Sequence, residues 1–497
     1  MKKIAILLVG LVVAVASASI AYRIPSVRDS VAAVLPLELK IKIKQTLFAA
    51  SALREELTLK EQELARLNEA IQAEKAAAKN QLRQKLFADV SSSPALAWTE
   101  LAHVYSQSIN SLSIDRSPRQ NLAASDGRQY SLWQFPLSFL PTYFEFGFKP
   151  LLFLDSTEKE IYFITGDGVI FKTETGELDK NRMQLQTVPS NIRSVITDEA
   201  IYQSGWFSIK DLKILRNRAY ISYNKKVGEQ YTLAILSANL DSSPLIFEEF
   251  FSLPDPVSTS EPFNAHQVGG RIVEFSNNQL LISTGEYRKY EKPQDDNSLF
   301  GKIFAIDIDS KQTQIISKGH RNAQGLDYDP ISGFVVSTEH GPLGGDEINL
   351  NATFNNNEGG NISNFGWPIS SYGKHYDSRF HEDAPLHKSH KDHGFIEPIK
   401  QFTPSVGISE VIKVPDSFAQ GYENDYFTAT MGLNTRVAIH SLLHFRLDKN
   451  TGEITHQATL KIGERIRDIV VLNDTQLLIA MEGNSTPSIG LIEAKRR

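Results

Sequence analysis

From about residue 130 onward the chain alternates short apolar runs with polar turns, and one pattern recurs: an apolar run, a polar turn, and a second apolar run. It reads "LLFLDSTEKEIYFIT" from Leu151, "DLKILRNRAYISY" from Asp211, "RIVEFSNNQLLISTG" from Arg271 and "LDYDPISGFVVST" from Leu326. It returns as "ISEVIKVPDSFAQGYENDYFTAT" from Ile408 and "DIVVLNDTQLLIAME" from Asp468. Runs of this length and alternation are strands, and the turn between them makes each a hairpin. Further strands such as "YTLAILSANL", "KIFAIDID" and "LLHFRLD" follow within the intervals. Six units of three to four strands predict an all-β, six-bladed β-propeller over 130–497, whose blades cover one another's faces. The wide interval between 326 and 408 carries an insertion.

Ahead of the propeller the period changes. From Leu37 to about residue 90 the chain is rich in Ala, Leu, Glu, Lys and Gln, with neither Gly nor Pro, and predicts one long α-helix. Leu57, Leu64 and Ile71 repeat every seven residues, with Leu53 and Leu67 at the second seam position, while Lys60 and Glu74 interrupt it. This is a short coiled-coil stalk that dimerises the chain, or a helix packed on its own domain. Residues 1–24 begin with two lysines and an uncharged apolar run, which reads as a signal peptide cleaved near Ala16-Ser17-Ala18 or as a membrane anchor.

Composition then narrows the chemistry. The chain has no cysteine, which excludes disulfides, thiolate metal sites and cysteine nucleophiles. A net charge of -6 over 497 residues, with no basic run, gives no footprint for nucleic acid. Gly-x-Ser-x-Gly, P-loop and Gly-x-Gly-x-x-Gly signatures are absent.

In a propeller the segments that lead into the innermost strands meet at one mouth of the central channel. Here they read "FNAHQVGG", "GHRNAQG", "QFTPSVG" and "GERIR". His266, Gln267, Arg321, Asn322, Gln324, Ser405 and Arg465 or Arg467 should therefore converge, a polar cluster at a concave mouth. "STEHGPLGGDEINL" offers backbone carbonyls and two carboxylates, the oxygen donors of a hard cation, without the spacing of an EF-hand. Five histidines (375, 381, 387, 390 and 393) fall in the insertion without a ligand-like spacing and read as a solvated loop.

"HQVGGRIVEF", "LLISTGE", "GKIFAIDID", "GHRNAQGLDYDP", "STEHGPLGGDEINL", "NFGWPISSYGKHY" and "GERIRDIVVL" together resemble the glucose/sorbosone dehydrogenase family. The resemblance runs from about Gly205 to Gly483. It implies a six-bladed propeller that uses pyrroloquinoline quinone (PQQ) and calcium to oxidise an aldose or related sugar to its lactone. His266 would be the general base, and Arg321 and Asn322 would hold the cofactor's reactive edge, with Arg321 also stabilising charge there. The carbonyls of Gly341 and Pro342 would bind Ca2+. Gln267 and Gln324 would complete the cofactor site. The family's fifth blade carries basic residues that pair with the cofactor's carboxylates, and here Lys413 and Arg436 are the nearby cations that would do so, beside a segment, "PSVGISEVIKV", that departs from the family's pattern. Beside Arg321, His320 reads as structural. The expected setting is the periplasm, with a quinone or cytochrome as electron acceptor. The competing reading is a non-catalytic exported propeller that binds a glycan or protein at the same mouth.

Overall fold

The computed structural model describes residues 112–137, 152–202, 206–258, 266–276, 278–351, 362–374, 389–419, 421–432, 440–482 and 487–495, together with eight residues between 59 and 70. The chain divides into two units, residues 1–90 and 91–497. In the first, the described residues are helical, and Leu59, Leu64 and Leu67 are exposed. The remainder of the helix expected over 37–90, its seam positions Leu53, Leu57 and Ile71, and the apolar run of 1–24 lie outside the described residues.

The second unit is a ring of six sheets, antiparallel except for one short parallel pair in the third. Its inner strands are Leu152–Ser156, Ile209–Leu215, Gly269–Phe275, Ala323–Asp329, Ile408–Lys413 and Ile466–Val471, one per blade. Each contacts the next, and the sixth contacts the first, so the ring is closed. Blade six takes strands from both sides of the propeller sequence. Gln129–Pro136 pairs with Pro487–Ala494, and Gln120–Ala123 lies outside it. The insertion between blades four and five contributes as well. Ser363–Asn364 pairs with the outer strand of blade three, and Lys400–Phe402 finishes blade four.

Near-continuous apolar strands drive this arrangement, because each blade is apolar on both faces and must be covered on both. Six apolar clusters result, each shared by two neighbouring blades. The smallest among the described residues lies between blades three and four. In blades two to six the inner strand shifts register after its first residues. A bulge there re-aims the following side chains along the channel.

Those side chains stitch the ring together. Asp468 accepts from Leu154 N (2.8 Å), Asp155 from Ile214 N (2.6 Å), Asp211 from Ile272 N (2.7 Å) and Asp327 from Lys413 N (2.9 Å). Ser409 Oγ donates to Ile466 O (2.7 Å), joining blades five and six. Arg271 crosses the channel below the mouth. Its Nη1 lies 3.0 Å from both Asp211 and Asp468, and its Nε lies 2.7 Å from Glu410 and from Gln324 O. Burial pushes the Asp211 and Glu410 carboxyls up, while Arg271 pulls them down.

Candidate active site

Gln267 enters blade three with φ of 60°, and its carbonyl oxygen comes so close to Gly285 that a Cβ there would lie 1.8 Å away. Glycine at 285 is therefore required for the segment before blade three to reach the mouth. His266 meets the edge of Trp206, with ring centroids 3.8 Å apart. Burial, then the charges of Lys210, Arg288 and Arg321, bring the imidazole down to about 4, so it is neutral at physiological pH.

Arg321 is the hub of the cluster. Its Nη1 donates to His340 O and Gly341 O, both at 2.8 Å. Its Nη2 donates to the Gln267 amide oxygen (2.5 Å), and the Gln267 amide nitrogen in turn donates to Glu286 Oε1 (2.8 Å). The guanidinium stands 5.4 Å from the Trp367 ring centroid, and Trp367 Nε1 donates to Glu286 Oε2 (2.6 Å). Arg321 Nε is buried with no hydrogen-bond partner among the described residues, and so is Ser405 Oγ. Burial raises the Glu286 carboxyl to about 7 against the pull of Arg321 and the Trp367 bond.

A second set continues the belt. Asn322 Oδ1 accepts from Gly269 N (3.2 Å) and from Gln324 Nε2 (2.9 Å). Arg467 Nη1 reaches Gln324 Oε1 at 3.5 Å, and Glu482 accepts from Arg467 Nε (2.6 Å) and Arg465 Nε (3.1 Å). Gln267, Arg321, Asn322, Gln324 and Arg467, from blades three, four and six, are thus joined, with His266 at their edge.

Lys413 does not join them. The inner strand of blade five starts at the mouth with Ile408, and five residues later, roughly 17 Å on, Lys413 Nζ pairs with Asp329 (2.8 Å). Arg436 lies outside the described residues. His320 faces inward, its Nε2 2.7 Å from Ser317 Oγ. Gly341 and Pro342 lie in a tight turn, where a Cβ on Gly341 would come within 2.2 Å of Gly345 O and 2.3 Å of Gly344 O.

The two carboxylates after that turn are not offered to a cation. Asp346 accepts from Gly341 N (3.2 Å) and Gly407 N (2.7 Å), and Glu347 faces His390 Nε2 (3.2 Å) and Asn349 Nδ2 (3.3 Å). Backbone amides hold Asp346, and the side chains of His390 and Asn349 hold Glu347. His390, expected in a solvated loop, is buried, with Ser370 Oγ 2.6 Å from its Nδ1, and His393 ends a short 3-10 turn. Histidines 375, 381 and 387 lie outside the described residues. Away from the mouth, Asp126, His444 and His456 are close enough to share a metal ion. Arg128 Nη1 lies 3.0 Å from His444 Nδ1 and its Nε 3.5 Å from Asp126, so a guanidinium already supplies positive charge there.

Sequence reading missed Glu286, Glu339 and Glu482, although one signal was present. The second strands of blades three, four and six end at the mouth in "STGE", "STEH" and "AME". Each carboxylate faces the cluster: Glu286 binds Gln267, Glu339 accepts from Arg321 N (2.9 Å), and Glu482 holds Arg465 and Arg467.

Known proteins share this architecture. An uncharacterised protein of Synechocystis is 28% identical over 325 residues, 59% of this chain and 72% of that one. The aldose sugar dehydrogenase YliI of Escherichia coli is 26% identical over 289 residues, 54% of this chain and 71% of that one. The crystal structure of the soluble aldose sugar dehydrogenase of Escherichia coli in its apo form superposes with a TM-score of 0.54 at 18% identity, covering 76% of this chain and 99% of that one. A glucose dehydrogenase structure gives 0.54 at 19%, covering 75% and 99%. At such identity the structures speak for the fold alone. The pattern of the Glucose / Sorbosone dehydrogenase family matches residues 160–489, from the second strand of blade one into the last strand of blade six, and the chain belongs to that family.

Proposed function

We propose that this protein is an exported oxidoreductase that oxidises an aldose or related sugar to its lactone with PQQ and calcium. One observation carries the reading: a neutral imidazole at the mouth, His266, shares its site with an arginine whose buried Nε has no partner among the described residues. The cations Lys210, Arg288, Arg321 and Arg467 suit a ligand with several carboxylates, and Arg321 Nε and Ser405 Oγ are donors still to be used. Arg321, Asn322 and Gln324 would hold such a ligand. As the family resemblance implies, Gly341 O and Pro342 O would hold the calcium ion, Gly341 O already accepting from Arg321 Nη1. Bound there, the quinone would supply the hydride acceptor and calcium a Lewis acid.

The chain's own residues do the rest. His266 takes the proton of the sugar C1 hydroxyl, for which a neutral ring is needed. Arg321, fixed by Gln267 and by two backbone carbonyls, holds positive charge against developing anionic oxygen without reorganising. The N-terminal apolar run carries the propeller to the periplasm, and electrons leave to a membrane quinone or a cytochrome.

The experiment is reconstitution of the purified protein with PQQ and calcium, with dye reduction followed over a panel of aldoses. Turnover is expected, with kcat/KM falling about 10²- to 10⁴-fold in H266A. No PQQ binding and no turnover with any sugar would leave a propeller that binds a glycan or protein at this mouth.

A further inference from the structure

Lys210 is the second residue of the inner strand of blade two and lies within its bulge, at the position held by Gln324, Ser409 and Arg467 in blades four, five and six. Its stem passes over Gly270 of blade three, where a Cβ would come within 2.5 Å of Lys210 Cβ. Glycine at 270 makes room for it. Lys210 Nζ donates to Trp206 O (2.7 Å), and the Trp206 ring stands at 65° to the His266 imidazole with centroids 3.8 Å apart. One short bridge therefore runs from the ammonium through Trp206 to the imidazole.

We propose that Lys210 is a positioning residue for His266: it anchors Trp206 against the imidazole and sets a positive charge beside it, so that the ring meets substrate unprotonated and in one orientation. The inference rests on the reading of His266 as the base. A structural job alone is better done by an apolar side chain of the same reach, because a partly buried ammonium carries a desolvation cost. The charged groups that act on His266 are Lys210, Arg288 and Arg321. Glu286 is directed away from it, towards Gln267 and Trp367. Burial and Arg467 bring the Lys210 ammonium down to about 7, so it is charged throughout the acid range in which His266 titrates. Removing that charge lowers the penalty on imidazolium and moves the His266 midpoint upward.

The test is a ring 1H–15N NMR titration of His266 in the full chain without cofactor, the signal being assigned with H266A. Wild type should titrate near 4. K210M should move the midpoint up by about one pH unit, and K210R should leave it in place. If K210M does not fold, K210Q makes the same measurement. In reconstituted protein the acid limb of kcat/KM should rise with the NMR midpoint. A K210M midpoint equal to wild type overturns the inference, whatever the turnover. A moved midpoint with no turnover in any variant supports the coupling and overturns the sugar-oxidation reading alone.

Discussion

Glu286 sits between an indole N–H and an amide, and burial holds its carboxyl near 7. Its folded-state pKa is raised above the unfolded value of about 4.3, so the native protein binds more protons across that interval and stability falls as pH rises through it. E286Q keeps the acceptor for Trp367 and removes the titration. Urea midpoints measured between about pH 5 and 7 should flatten in this variant, whose amide nitrogen faces the Gln267 amide nitrogen where Glu286 offered an acceptor. A second prediction separates a cation at the mouth from one away from it. R467A should weaken PQQ binding about tenfold or more, whereas K413A should leave it unchanged in equilibrium titrations, because Lys413 lies at the far end of its strand, on Asp329. Residue identity was legible in the sequence at Arg321 and Asn322, whose neighbours in "GHRNAQG" announce a turn into an inner strand. Lys413 misled because its nearness to the mouth in sequence hides a strand that carries it away. Glu286 stayed hidden because a carboxylate at a strand end looks like surface until the neighbouring blade covers it.

The inner strands do two jobs, and both depend on the bulge near their start. Alternation revealed these strands well: hairpin starts near 151, 211, 271, 326, 408 and 468 fall within a few residues of the observed 152, 209, 269, 323, 408 and 466. The bulges and the charges they aim were illegible, since pairing register is set between chain segments rather than within one. Arg271 shows the consequence, one guanidinium facing Asp211, Glu410 and Asp468. R271M leaves three buried carboxylates uncompensated and should cost roughly 3–5 kcal/mol in urea unfolding at pH 7. Because burial already pushes Asp211 and Glu410 up, the deficit should shrink as pH falls and they take up protons. At the same level G285A should disable the mouth, since its methyl would collide with Gln267 O and push His266 and Gln267 away from Arg321. Loss of activity with a thermal transition still present would check it.

Across the propeller, stability is shared among six apolar clusters of the described residues, each made by two blades. The blade count was legible because the repeat is a sequence property; the ring closure was not, because "YSLWQF" carries no sign that its partner lies more than three hundred residues later. Leu132, 0% exposed in that closing strand, and Ile331, 81% exposed, make a matched pair. L132D should abolish the cooperative thermal transition and any turnover, while I331D should stay within about 0.5 kcal/mol of wild type. The shared sixth blade also has a consequence for timing. Pro487–Ala494 is the last strand of the propeller to leave the ribosome, and its pairing with Gln129–Pro136 closes the blade that carries Arg465, Arg467 and Glu482. On the proposed export route, a chain threaded across a membrane before folding would arrive as unsealed hairpins and close its ring only when these two strands pair on the far side.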